Sequence, residues 1–526
     1  MAFAEGARRH ALMFKSPSLG GHGQCRRFGA AASPACSGPS GQLVTSAPGW
    51  PPEKDSRRKG LNAMYLSVLG TQQRIYGEAQ VPNSKYHAHR ALILASLAPG
   101  ISRITGLTDA RHVRYTVAML RQLGTRIDID DGTYVVHGGP YRPVRNEVSA
   151  GSSGTTLYFM VGLAALGTRD VTVTGQKYFQ RRPIGPLLAA LSQMGLDVDS
   201  PTGCPPIRVR ARRPAGGEVH IAGTLSQWIS GLLLLAPFAE QPTSVVVDGT
   251  LNERTYLELT VRMMRSFGLQ VDVGDDWHRF DIPPNQEAVP AQLRMPEDIG
   301  SAAFGLAAAA LHPSDLLLRG LRSVTARGAD HPEAHFLDIA AAMGLPMDYD
   351  AGRDGVRIRH DGLRLQSTDI DCRLVPDMLP VLSVMAACAD GESVFRNVGH
   401  VRLKESDRVA AMAQLNSMGA GIRTAGSDLV VRGAETLTAA NLSSFNDHRV
   451  LMSLAVAASG AVGRSTLSYP HAYRISYPEF LDAMNSFGLR MQVEDGPVPR
   501  RSPARSSRSR AARSTAASPE AASRVP

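Results

Sequence analysis

One short phrase recurs six times along this chain: MLRQLGTRIDI, LSQMGLDVD, MMRSFGLQVDV, AAAMGLPMDY, LNSMGAGIRT and MNSFGLRMQV. Each reads as a helix end, a glycine, and then an alternating strand. The glycines are Gly124, Gly195, Gly268, Gly344, Gly419 and Gly488, spaced 71, 73, 76, 75 and 69 residues apart. Without a Cβ, glycine takes the left-handed backbone that stops a helix at no steric cost. The stretches 157–166, 229–238, 302–311, 381–388 and 451–458 are apolar on nearly every face, the mark of buried helices. The sheets must then lie outside them. Units of this length exceed ordinary solenoid repeats, and three per domain gives two domains.

Composition narrows the function. The net charge of +10 on 526 residues suggests a nucleic-acid binder, but residues 1–61 carry nine Lys/Arg against three Asp/Glu and residues 496–526 seven against one. The two ends therefore hold +6 each, which leaves 10 − 12 = −2 on the 434 residues between them. No nucleic-acid partner is expected. Both ends are rich in Ala, Ser, Gly, Pro and Arg without apolar periodicity and are expected to be disordered. For the N-terminal segment, an organellar transit peptide and a start placed upstream of Met64 both stay open. The five cysteines, Cys25, Cys36, Cys204, Cys372 and Cys388, form no CxxC pair and suggest neither a disulfide framework nor a zinc site. Apolar runs fall short of the roughly 20 residues that cross a bilayer. A cytoplasmic monomer with no membrane partner, no cofactor and no metal is expected.

Nine further phrases carry chemistry, each modest alone. VPNSKYHAHRALILASLA opens a helix with Lys85 and Arg90, where free N–H groups attract anions. AGSSGTTLYF offers a small-residue turn at Gly154, and QRRPIGPLLAAL sets Arg182 before a proline-started helix. TLSQWISGLLLLAPFA carries Ser226 and Gln227, and NERTYLELT carries Tyr256. DIDCRLVPDMLPVL presents Asp377 after a proline. HVRLKESDRVAAMAQL presents Lys404, Glu405 and Arg408, with Lys404 and Arg408 at the i,i+4 spacing of one helical face. FNDHRVLMSLAVAA starts a helix at His448 and Arg449 with Asn446 or Asp447 as cap, and HAYRISYPEFL supplies Arg474. Arginine forks suit bidentate recognition of phosphate and carboxylate.

In this order, and on these repeat units, the phrases resemble those of the 5-enolpyruvylshikimate-3-phosphate synthase family of enolpyruvyl (carboxyvinyl) transferases over residues 65–493. The family's counterparts read PGSKSxSNR, GNAGTAxR, RPIG, SSQFLSALLMAAPLA, DMNxxPDAAMT, NWRVKETDRLxAM and NDHRMAM. The resemblance implies an α/β (α+β) fold of two lobes, each with three βαβαββ units, helices inside and sheets outside, and the active site between them. By resemblance, residues 65–84 with 297–495 form one lobe and 85–296 the other. It also implies two partners, phosphoenolpyruvate as donor and a phosphorylated small-molecule acceptor. Asp377 is then the base for the acceptor hydroxyl, Glu405 the proton carrier at C3, and Lys85 the aid to phosphate departure. Lys85, Gly154, Arg182, Gln227, Arg408, His448, Arg449 and Arg474 would hold the donor. Tyr86, Arg90, Ser226, Gln227, Tyr256, Asp377, His400 and Lys404 would hold the acceptor. Lys177 stands where the UDP-N-acetylglucosamine branch carries a reactive cysteine, which ranks that branch low.

The departures gather on the acceptor side. Tyr86, Leu225, Glu253 and His400 replace Ser, Ser, Ser and Asn, and losing hydroxyl donors while gaining a carboxylate disfavours a phosphate there. The expected acceptor is a diverged one whose phosphate lies nearer Arg90 and Lys404. UMP, enolpyruvylated in nucleoside antibiotic biosynthesis, fits, with Tyr86 or Trp228 covering its base. The alternative is shikimate 3-phosphate itself, in aromatic amino acid biosynthesis. A non-catalytic binding protein is a further alternative, opposed by the costly gathering of cations and carboxylates.

Overall fold

The computed structural model describes residues 64–496 apart from 178, 180 and 181. The expectations for residues 1–61 and 497–526 lie outside the described residues. All six repeat glycines take positive φ, from 76° at Gly268 to 107° at Gly419. After each comes a strand: Arg126–Asp130, Val198–Asp199, Asp272–Val273, Asp348–Asp350, Gly421–Ala425 and Arg490–Asp495. The phrase thus works as its chemistry predicts, stopping a helix and turning the chain into a sheet.

Among the described residues six four-stranded sheets share one plan. A strand lies parallel to a second, the second pairs antiparallel with a third, and the third pairs antiparallel with the strand after the repeat glycine. Some partners come from far along the chain. Met64–Leu69 lies between Arg464–Leu467 and Arg490–Asp495, and Gln292–Arg294 pairs with Gly100–Thr105. Ile75–Gln80 pairs with Ser314–Arg319.

Six helices lie inside the sheets: Lys85–Leu97, Gly154–Leu163, Ser226–Leu235, Ile299–Leu311, Leu379–Ala387 and His448–Ser459. Nearly every residue in them is buried, so their apolar character on all faces is satisfied by packing on all sides. They belong to two apolar cores, one built from Leu66 to Val81 and Ile299 to Met491, the other from Tyr86 to Met295. The chain passes between the cores twice, and the two crossings run side by side. Asn83 bridges Glu297, Ser84 N–H donates to Pro296 O at 2.7 Å, and Asp298 N–H donates to Pro82 O at 2.8 Å.

One local expectation fails. Lys404 and Arg408 do not share a helical face: Lys404 ends the 3-10 segment Gly399–Leu403, and a new helix, Arg408–Met412, starts on its own cap. The Asp407 side chain accepts from Ala410 N–H at 3.0 Å. A strong N-cap inside the window breaks it into two elements.

Candidate active site

The first turns of the six buried helices feed one connected network of charged and polar side chains. Helix starts present unpaired N–H groups and the positive end of the backbone dipole, so the place where they gather favours anions. Asp447 caps His448–Ser459, accepting from Arg449 N–H at 2.9 Å. Just before it Phe445 and Asn446 hold φ of 52° and 57°, a strained pair that aims the His448–Arg449 turn.

Arg408 is the hub. It donates through Nη1 to Asp377 Oδ1 at 2.8 Å, through Nη2 to Glu405 Oε2 at 2.8 Å, and through Nε to Asp447 Oδ2 at 2.9 Å. Arg182 Nη1 lies 3.7 Å from Glu405 Oε1. Its guanidinium packs so close to Gly154 that a Cβ there would push it aside. Arg449 Nε lies 3.4 Å from Asp377 Oδ2, and its Nη2 donates to the Tyr86 hydroxyl, which itself donates to Asp377. Burial, the largest influence, pushes the Asp377 carboxyl up, yet Arg449, Lys404, Arg408 and Lys85 hold it well below the usual carboxylate range. Burial likewise raises Glu405, and Arg408 and then Arg182 outweigh it. Both carboxylates are ionised at neutral pH.

Lys85 Nζ lies 3.3 Å from His448 Nε2. Burial and then Arg449 bring its ammonium down to about 8. Burial also keeps His448 neutral, well below its ordinary value. Against the His448 ring, at 6.0 Å between centroids, stands His112, brought down to about 3 by burial and Lys85.

Around Lys404 the charges are balanced. Lys404 forms a close ion pair with Glu253 and lies 3.7 Å from Asp377 Oδ1. Glu253, 1% exposed, accepts through Oε2 from Ser226 N–H at 3.1 Å and Ser226 Oγ at 2.6 Å, and His400 Nε2 is 4.0 Å away. Leu225 provides no side-chain cap for the helix Ser226–Leu235, so Glu253 caps it from outside. To do so Glu253 holds φ 60°, a left-handed conformation that costs a non-glycine residue energy. Gln227 Nε2 donates to Thr155 Oγ1 at 2.8 Å.

Two expected residues do not join the network. Arg90, 2% exposed, spends Nε on Thr260 Oγ1 (2.8 Å), Nη1 on Tyr86 O (3.0 Å) and Nη2 on Tyr256 O (3.2 Å), and lies over the Phe159 ring. It is a core strut, because a buried guanidinium must find acceptors and these are the nearest. Arg474 is exposed and donates to its neighbour Tyr473 at 3.3 Å. Nor are Tyr86 and Trp228 open faces for a base, since both are buried.

Two residues of the network escape the reading of the sequence, His112 and Glu333. Glu333 is fully buried; its Oε1 accepts from Asp377 N–H at 3.1 Å and from the Tyr256 hydroxyl. A signal for them exists. Counting back from each repeat glycine, 124 − 12, 195 − 13, 268 − 15, 344 − 11, 419 − 14 and 488 − 14 give His112, Arg182, Glu253, Glu333, Glu405 and Arg474, all at or just before a unit's outer helix.

Known proteins share this fold. EPSP synthase from Acinetobacter baumannii superposes with a TM-score of 0.66 at 24% identity, covering 82% of this chain and all of that one. The enolpyruvyl transferase NikO from Streptomyces tendae gives 0.63 at 16%, covering 83% and all of its chain. The fold is thus that of enolpyruvyl transferases. The sequence model of EPSP synthase (3-phosphoshikimate 1-carboxyvinyltransferase) matches residues 69–484. The 3-phosphoshikimate 1-carboxyvinyltransferases of Methanocaldococcus jannaschii and Nitrosopumilus maritimus are each 32% identical, over 82% and 80% of this chain and 100% and 99% of theirs. The chain belongs to the EPSP synthase family, and it is a transferase. Among the described residues no cluster of His, Cys, Asp and Glu could hold a metal ion, and no helix is long and apolar enough to cross a membrane.

Proposed function

We propose that this cleft transfers the enolpyruvyl group of phosphoenolpyruvate to a hydroxyl of 3-phosphoshikimate, with release of phosphate. The curated relatives carry that activity in their names, and one observation in the site supports it most. Arg408 holds two ionised carboxylates, Asp377 and Glu405, on either side of a single guanidinium, beside the buried cation Lys85.

The acceptor oxygen attacks C2 of the donor while Asp377 takes its proton. C3 gains a proton and later returns it as the C2–O bond to phosphate breaks. Glu405, having taken up a proton from water once the donor is bound, gives it to C3 and takes it back, and the proton on Asp377 leaves to water or to the released phosphate. A donor anion that draws Arg182 and Arg408 to itself unloads Glu405 and lets its proton affinity rise. Lys85, protonated at neutral pH, offsets the charge on the departing phosphate.

A second reading keeps the donor chemistry and changes the acceptor. It is favoured by Glu253, which fills the space between Ser226 and Lys404 with the chain's own carboxylate, and by Tyr86, whose hydroxyl already occupies Asp377. Phosphate release from phosphoenolpyruvate with 3-phosphoshikimate or with UMP separates the two. Turnover with 3-phosphoshikimate alone establishes the first reading, and turnover with UMP alone the second.

A further inference from the structure

The network contains a carboxyl group that the proposed chemistry does not use. Glu333 lies at the end of the segment that leads into the helix His335–Ala342 and is shut off from solvent. Its Oε1 takes two hydrogen bonds, from the backbone N–H of Asp377 at 3.1 Å and from the hydroxyl of Tyr256, which belongs to the other core. Its Oε2 has no hydrogen-bond partner among the described residues. A carboxylate so placed, with one bare oxygen, is costly; a carboxylic acid, with its proton on that oxygen, is less so.

The groups facing it agree. Asp377 on the Pro376–Met378 turn is negative, Tyr256 on the helix Arg254–Ser266, Tyr86 on the helix Lys85–Leu97 and Cys372 are neutral, and Arg449 on the helix His448–Ser459 is the facing cation. Burial first, then Asp377, pushes the Glu333 carboxyl up to about 8, against Arg449. Asp377 shares Arg408 and Lys404 as well and stays ionised. Two carboxyls that meet at one turn, Asp377 on it and Glu333 bonded to its backbone, have been driven to opposite protonation states by their surroundings.

We propose that Glu333 is the positioning residue of Asp377: its carboxyl fixes the backbone that carries the Asp377 carboxylate, and its proton sets the charge beside that base. The inference rests on the reading of Asp377 as the base for the acceptor hydroxyl. When Glu333 loses its proton, a second negative charge beside Asp377 raises the proton affinity of Asp377 and makes it the stronger base.

The experiment compares wild type with Glu333→Gln, which keeps an acceptor oxygen but cannot ionise, and with Glu333→Ala. At pH 7 Glu333→Gln should lower kcat by about threefold and Glu333→Ala by about tenfold or more, with little change in KM for phosphoenolpyruvate. The ratio of wild-type to Glu333→Gln kcat should climb as pH rises through about 8. Lys85 titrates in both proteins, so its effect cancels in that ratio. A ratio that stays flat from pH 6 to 9.5 overturns the proposal. Infrared difference spectra of the two proteins at pH 7 give an independent check, since a protonated-carboxyl band should be present in wild type and missing in Glu333→Gln. Absence of the band from wild type overturns the proposal even if the variants fold poorly. Full activity in Asp377→Asn would instead overturn the reading of Asp377, whatever Glu333 does.

Discussion

The network has two walls, one around Lys85 and one around Lys404, both buried and differently charged. On one wall Lys85 has a neutral imidazole as its nearest partner, His448, with neutral His112 behind it. On the other, Lys404 is neutralised by Glu253, which is itself satisfied by Ser226. A buried cation whose nearest partner is neutral keeps an affinity for whatever anion arrives, whereas a closed ion pair has already spent it. On the proposed function, the first wall receives the donor's phosphate and carboxylate. The second is built to hold its own shape.

The largest test of this contrast lies where the walls meet. Asp377→Asn should lower kcat by about a thousandfold, the middle of the range for lost general-base catalysis, measured as phosphate release at saturating substrates. Next comes the balanced wall. Lys404→Met leaves Glu253 buried and uncompensated and should lower the unfolding free energy by about 3 kcal/mol in chemical denaturation. Adding Glu253→Gln should recover part of that loss, because the two side chains are one interacting pair. A Lys404→Met protein as stable as wild type would mean that the pair is not closed in solution.

The unbalanced wall should respond to pH. Lys85 is protonated below about 8 and neutral above it, so affinity for phosphoenolpyruvate should fall as pH rises through that value, by up to about tenfold per pH unit. Lys85→Arg, charged throughout, should flatten the dependence. Binding titrations between pH 7 and 9.5 check both. The smallest effect belongs to a pair with the chemistry of Lys404–Glu253 but exposed to solvent. Arg322 donates bidentately to Asp354 at 2.9 and 2.8 Å with both side chains about half exposed, and Arg322→Ala should cost less than about 1 kcal/mol.

Much of this was written in the chain in local terms. The six glycines announce their own left-handed turns because that conformation depends on a single residue's missing Cβ. Buried helices announce themselves by apolar side chains on every face. Asp377, Glu405, Arg408, His448 and Arg449 stand in phrases distinctive enough to be picked out one by one, and they meet in the network. Glu333 and His112 were missed because each looks like an ordinary polar residue at the start of an amphipathic helix. Only the recurrence of such a residue 11 to 15 positions before every repeat glycine sets it apart.

Sequence alone determined the repeat, the order of elements and the family's chemistry, since these depend on residue type and spacing along the chain. Tertiary structure decided which charges are satisfied. Arg90 and Lys404 look alike as basic residues near helix starts, yet one is consumed by Thr260, Tyr86 and Tyr256 inside a core while the other closes on Glu253 as an ion pair. The reason is electrostatic: in a buried site the state of each ionisable group is set by its neighbours within a few ångströms. Here those neighbours come from positions as far apart as Tyr86 and Arg449.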